Sequence, residues 1–146
     1  MRRRCLLLGC VGVVVLGACG ASEEAIAPAC TQRADVERAI ADRGRMPDGT
    51  RLSQCLERAT DPASLQNLGA VLTTIAEELE DSAATDPAAA RRLGFLIGAA
   101  RRGVAEGDGR AAELARRLER SGAAVSDEAA AATALAAGLR DGEASG

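Results

Sequence analysis

The stretch that decides the fold is DPASLQNLGAVLTTIAEELEDSAATDPAAARRLGFLIGAARRGV, residues 61–104. Its apolar positions recur at intervals of three and four. Leu65, Leu68, Leu72, Ile75 and Leu79 form one stripe, and Leu93, Leu96, Ile97, Ala100 and Val104 form a second. This spacing matches the 3.6-residue helical period and places each set on one face. Each stripe follows an Asp-Pro pair, Asp61-Pro62 and Asp86-Pro87. Asp accepts from the free N–H groups of a first turn, and Pro fits a first helical position because no partner is needed there. Only Ala83, Ala84 and Thr85 separate the two patterns, so an antiparallel hairpin is predicted.

Working outward, weaker helical signals flank the hairpin. Leu52, Cys55, Leu56 and Ala59 share one face of a short second helix, with Thr50 as its expected N-cap. Met46-Pro47-Asp48-Gly49 reads as a turn. A first helix, capped by Thr31, is expected through Val36 and Ile40 and stops at Gly44. Beyond the hairpin, Leu114, Ala115 and Leu118 mark a fifth helix ending at Gly122. A last helix starts near Ser126-Asp127-Glu128, with Leu135 and Leu139 as its anchors. The tail, residues 141–146, is expected to fray. Residues 61–69 and 86–94 share an Asp-Pro-Ala start and a Leu-Gly pair at the same offset, which a duplicated helical unit would explain and common capping chemistry explains more simply. Alternating β-branched runs are absent outside residues 11–15. The expected fold is therefore all-α: a small bundle of five or six helices over residues 30–140. With no Trp or Tyr and one Phe, its core must be lean, and Ala-rich helices must approach one another closely.

The N-terminus has a different character. Arg2, Arg3 and Arg4 precede an apolar run from Cys5 to Ala18, shorter than the roughly 20 residues that span a bilayer as a helix. A basic head, a short apolar run and small residues before a cleavage point are the parts of a secretory signal peptide. The ending Val15-Leu16-Gly17-Ala18-Cys19 resembles the bacterial lipoprotein signal, the lipobox class, over residues 1–19 only. That resemblance implies cleavage of residues 1–18 and attachment of diacylglycerol, with palmitate-type chains, to the Cys19 thiol. Residues 19–29 then form the lipidated Cys and a flexible tether. The expected location is the periplasmic or extracellular face of a bacterial membrane. Cysteine parity fits this: Cys5 and Cys10 leave with the leader, Cys19 carries lipid, and Cys30 and Cys55 remain as one pair. Export favours oxidising that pair, whose spacing is too wide for a CxxC redox site. Loop closure over this separation would stabilise by about 3–4 kcal/mol.

Catalysis is poorly supplied. The chain has no His, Lys or Tyr, which removes the commonest general base and the Schiff-base amine. No Gly-x-Ser-x-Gly elbow, phosphate loop or clustered zinc ligands occur in the sequence. No catalytic residue, metal or other cofactor is expected. Glu77, Glu78, Glu80 and Asp81 form one consecutive acidic stretch, read as a solvated face with Arg91, Arg92 or Arg101 as partners across the hairpin. Loss of the three leader Arg takes the formal net charge from −3 to −6, which argues against nucleic acid as a partner.

The fourth helix carries the candidate contact residues. Arg91, Phe95 and Arg102 fall together opposite its apolar stripe. Ala90, Gly94 and Gly98 line an adjacent groove that admits another backbone closely. Two readings follow: an exposed Arg-Phe-Arg face for a partner, or a central helix covered on two sides with Phe95 in the core. The second suits a chain with so few large residues. The expected function is a non-catalytic envelope lipoprotein domain. It would be held to the membrane by its lipid and serve protein interaction with an envelope partner, or structure. A small-ligand pocket between helices and a carboxylate-based enzyme are the alternatives.

Overall fold

The computed structural model describes residues 26–42, 44–105, 109–125 and 128–146. The leader, Cys19 and the start expected at Ser126-Asp127 lie outside the described residues. A 3-10 turn (Pro28–Thr31) leads into α1 (Arg33–Ala41), α2 (Leu52–Arg58), α3 (Pro62–Ala83), α4 (Pro87–Gly103), α5 (Arg110–Ala124) and α6 (Ala129–Ser145). The described residues form an all-α bundle of six helices with no named strand.

The two Asp-Pro starts are used as the sequence reading expects. An Asp61 carboxylate oxygen accepts from the N–H groups of Ala63 and Ser64, both at 2.9 Å, and Asp86 accepts from Ala88 at 2.8 Å. The other two caps differ. Thr31 closes the 3-10 turn by donating its hydroxyl to the Pro28 carbonyl, and α1 begins two residues later. Thr50 lies one residue early, because Arg51 is the N-cap of α2 and its N–H donates to the Gln54 side chain at 2.9 Å. The turn at 46–49 closes with Gly49 donating to the Met46 carbonyl at 2.9 Å. Gly44 and Gly49 have φ of +90° and +86°, a region that favours glycine.

Helix α4 is the axis of the molecule. Every residue from 93 to 100 is buried, and α1, α2, α3, α5 and α6 all pack against it. A helix covered on all sides must be apolar or small all round, as this one is. The α3 stripe is buried at Leu68, Leu72 and Ile75 and only partly so at its ends, Leu65 and Leu79. Cys30 and Cys55 form a disulfide with a Cα–Cα distance of 5.7 Å, and neither is solvent-exposed. The bridge fastens the 3-10 turn to α2.

The tail expected to fray does not. Helix α6 continues to Ser145, and Gly138, Gly142 and Gly146 are buried. The reason is backbone contact. A Cβ at Gly94 or Gly98 would overlap the carbonyl of Leu135 or Leu139, and one at Gly138 or Gly142 would overlap that of Arg91 or Phe95. Four residues along α4 advance four residues along α6, so the pair runs parallel, with α5 as the returning segment. Glycine is a poor helix former in isolation, but here it is what lets the two backbones touch. Close Cα–H groups facing carbonyl oxygens add weak attraction along the seam.

Two outcomes are expected from this packing. Gly138→Val should destabilise the fold by about 3 kcal/mol, whereas Ala136→Val on the exposed side of the same helix should cost less than about 1 kcal/mol, the helix-propensity difference alone, both read by urea denaturation. The second concerns acid. Hydrogen bonds from Ser64, and then from the Ala63 N–H, hold the Asp61 carboxyl below the usual aspartate range. A depressed folded value means the contribution is present above the ordinary aspartate value and is lost as the pH falls through the lowered one. Asp61→Asn keeps the cap without the charge, so its urea midpoint should drop less than the wild type's between about pH 5 and about pH 3.

Candidate functional site

The three residues singled out on the fourth helix do share one side of it, but that side is occupied by α6. Phe95 is 4 % exposed. A Cβ built on Gly44 would stand 2.7 Å from the Phe95 Cζ, so the loop after α1 also closes over the ring. The partner-facing reading of Phe95 is therefore corrected: the chain's one aromatic side chain fills the core. Arg91 reaches across to Asp141 on α6, Nη2 to Oδ2 at 2.6 Å. Arg102 donates from Nη1 to the Glu143 and Ala144 carbonyls at 3.1 and 2.7 Å, capping the last turn of α6. Basic side chains commonly satisfy the free carbonyls of a helix C-terminus in this way. Arg91, Phe95 and Arg102 thus serve an internal contact.

Neighbouring charges extend the same arrangement. Arg101 bonds Glu119 of α5 at 2.6 Å and Glu143 of α6 at 3.3 Å, joining three helices at one guanidinium. Both partners raise its pKa, Glu119 more than Glu143, so it stays charged. Ser53, the one buried polar residue of the described core, donates its hydroxyl to the Gly146 carbonyl at 2.6 Å.

The acidic stretch at the end of α3 has a different partner from those expected. Glu78 pairs with Arg33 of α1, which also holds Glu37 at 2.7 Å. Across the hairpin, Arg91 and Arg101 are bonded to other helices instead. The phase of a helix, set by its packing, decides which acids face a given neighbour, and sequence proximity does not. Among the described residues no group of three or more Asp, Glu, Cys or His side chains converges where a metal could sit.

Two concave surfaces among the described residues bear on these alternatives. An open groove of about 630 Å³ runs between α3 and α5, with Leu65, Gly69 and Leu114 among its lining residues and Glu77, Arg110, Glu113 and Arg117 at its edges. Glu77 and Glu113 come from different helices, the arrangement a two-carboxylate enzyme would need. Glu113, however, bonds Arg116 at 3.1 Å and lies within 3.7 Å of Arg117 and of Arg120. The Arg116 hydrogen bond above all holds its carboxyl below the usual glutamate range, the opposite of what a general acid requires. The second surface is a cleft under the end of α1, bordered by α3, α4 and α6.

The sequence reading missed one functional contribution to the fold. Gly138, Gly142 and Gly146 repeat at the same four-residue spacing as Gly94 and Gly98. That matching period was the available signal for the partner of the groove.

Truncating Phe95 should therefore act on stability. Phe95→Ala is expected to lower the free energy of unfolding by about 3–5 kcal/mol, while Arg91→Ala, whose ion pair is half-exposed, should lower it by about 1 kcal/mol or less. Urea titration of both variants checks this. No protein-family model matches the chain, and neither does any curated protein or solved structure.

Proposed function

We propose that the chain is an exported bacterial lipoprotein, leashed through Cys19, whose helical domain has a non-catalytic interaction or structural role at the cell envelope. The observation that carries this reading is the buried Cys30–Cys55 bridge. It uses both cysteines left after Cys19 is assigned to lipid, and it fits an oxidising compartment. The lipobox resemblance of Val15-Leu16-Gly17-Ala18-Cys19 supplies the anchor, and residues 20–27 the short tether. The bridge then sits where the tether enters the domain, so the membrane-proximal end is the stapled end. Support for a non-catalytic role comes from the residue inventory, without His, Lys or Tyr, and from Glu113 being held ionised by arginines. With Phe95 in the core, an envelope partner would meet the polar helix exteriors.

A second reading, ligand binding between helices, is favoured by the cleft under α1, whose floor is apolar and whose rim is charged. Sites for small molecules commonly combine these two features.

Mass spectrometry of the membrane fraction tests the anchor. The expected product starts at a diacylglyceryl-modified Cys19, and an unmodified Cys19 or a mature start elsewhere would remove the anchor from the account. Non-reducing peptide mapping of the same material should recover Cys30 and Cys55 in one linked peptide pair. Free thiols at both positions would contradict the assigned compartment.

A further inference from the structure

Helix α1 is held to the same neighbour on both of its sides in the chain. Upstream, Cys30 of the 3-10 turn is bridged to Cys55 of α2. Downstream, the Gly44 carbonyl accepts from the N–H of Leu52, the first residue of α2, at 3.1 Å. Between these points α1 rests on α3 and α4, with Val36, Ala39 and Ile40 buried. Its ion pair to α3, Arg33 to Glu78, is about half-exposed on both sides and adds little. A cleft with lobes of about 450 and 240 Å³ undercuts the end of α1 at Ile40 and Ala41. At nine residues, α1 is too short to be a stable helix without its neighbours.

Helix α2 is seated differently. A Cβ on Gly103 would stand 2.4 Å from the Ser53 carbonyl oxygen, so the α2 backbone lies directly on the end of α4. The Ser53 hydroxyl also holds the Gly146 carbonyl. The bridge therefore ties a lightly attached helix to a firmly attached one. With the bridge in place, α1 belongs to a loop pinned at both ends, which gains little entropy by leaving the surface. Without it, α1 belongs to a free chain end that swings from Gly44.

We propose that the 3-10 turn and α1 are a flap and that the Cys30–Cys55 bridge is its latch. Oxidised, the bridge keeps the flap closed; reduced, the flap opens on its own while α2–α6 stay folded. The reduction is a two-electron exchange with a dithiol, which leaves as a cyclic disulfide while both cysteine sulfurs become thiols. Opening widens the cleft and exposes its apolar wall, Ile75 and Leu79 included. The latch does not depend on the lipid anchor.

The test is hydrogen exchange on the chain as isolated from its host, in buffer if it is unmodified and in neutral detergent micelles if it is acylated. Both cysteines are fully buried, so the bridge is reduced by dithiothreitol in urea and the protein is refolded with the dithiol present. Compared with the oxidised protein, amides of α1 are expected to exchange about a hundredfold faster or more. In the reduced protein they should also exchange at least about tenfold faster than those of α2 and of 93–100, with rates nearly independent of low urea. The reduced wild type keeps both sulfurs, so lost packing is not the cause, and the double variant Cys30→Ala/Cys55→Ala should show the same order of exchange. Unchanged α1 exchange on reduction would overturn the proposal. So would α1, α2 and α4 exchanging with one free energy and one urea dependence, or loss of α4 protection, because the bridge then serves the whole domain alike. Any of these leaves the anchor standing, whereas an unmodified Cys19 leaves the exchange pattern as expected.

Discussion

The structure depends on one close approach, the parallel contact between α4 and α6. Most helix pairs are held apart by their side chains, with axes about 8–10 Å apart. Here glycines on both helices remove the spacers, and each backbone lies against carbonyls of the other. The chain has one aromatic residue and few large aliphatic ones with which to fill space. Bringing backbones together is how such a composition reaches a dense interior, since packing attraction accumulates over many small contacts. The contact also explains why Arg91, Arg101 and Arg102 lie where they do. Each reaches from α4 to α6, and Arg102 and Ser53 satisfy carbonyls at its end.

Much of this was legible in the sequence because it is local chemistry. The Asp-Pro starts of α3 and α4 depend on groups within three residues, and both act as caps. The stripes of α3 and α4 repeat with the helical period, so their buried faces could be named in advance. The pairing of Cys30 with Cys55 followed from counting cysteines once the leader was set aside and Cys19 was given to lipid. Less legible were features that arise only when helices meet. The glycines of α6 look like helix breakers on local propensity, so nothing in the local sequence speaks against a frayed tail over residues 141–146. Their value appears only with Gly94 and Gly98 opposite them. Arg91, Phe95 and Arg102 were placed on the correct side of α4, but the sequence did not say that α6 covers it. The partner of Glu78 is Arg33, 45 residues away, set by how α1 lies on α3.

For function, the consequence is a division of labour along the chain. On the proposed reading the N-terminal sequence would supply the signals of destination, while the disulfide ties the 3-10 turn to α2. The helices that follow use their arginines to hold one another, and most of those pairs are half-exposed, so each contributes little alone. Phe95, the most conspicuous side chain in the sequence, is one that the lean core requires for itself.

Native-state hydrogen exchange tests the central role of the α4–α6 seam most directly. If the seam is integral, amides from Ala131 to Ser145 exchange only through global unfolding, with the same free energy as the amides of 93–100. Rapid exchange of the α6 amides through a low-energy local opening, while α4 stays protected, would contradict it.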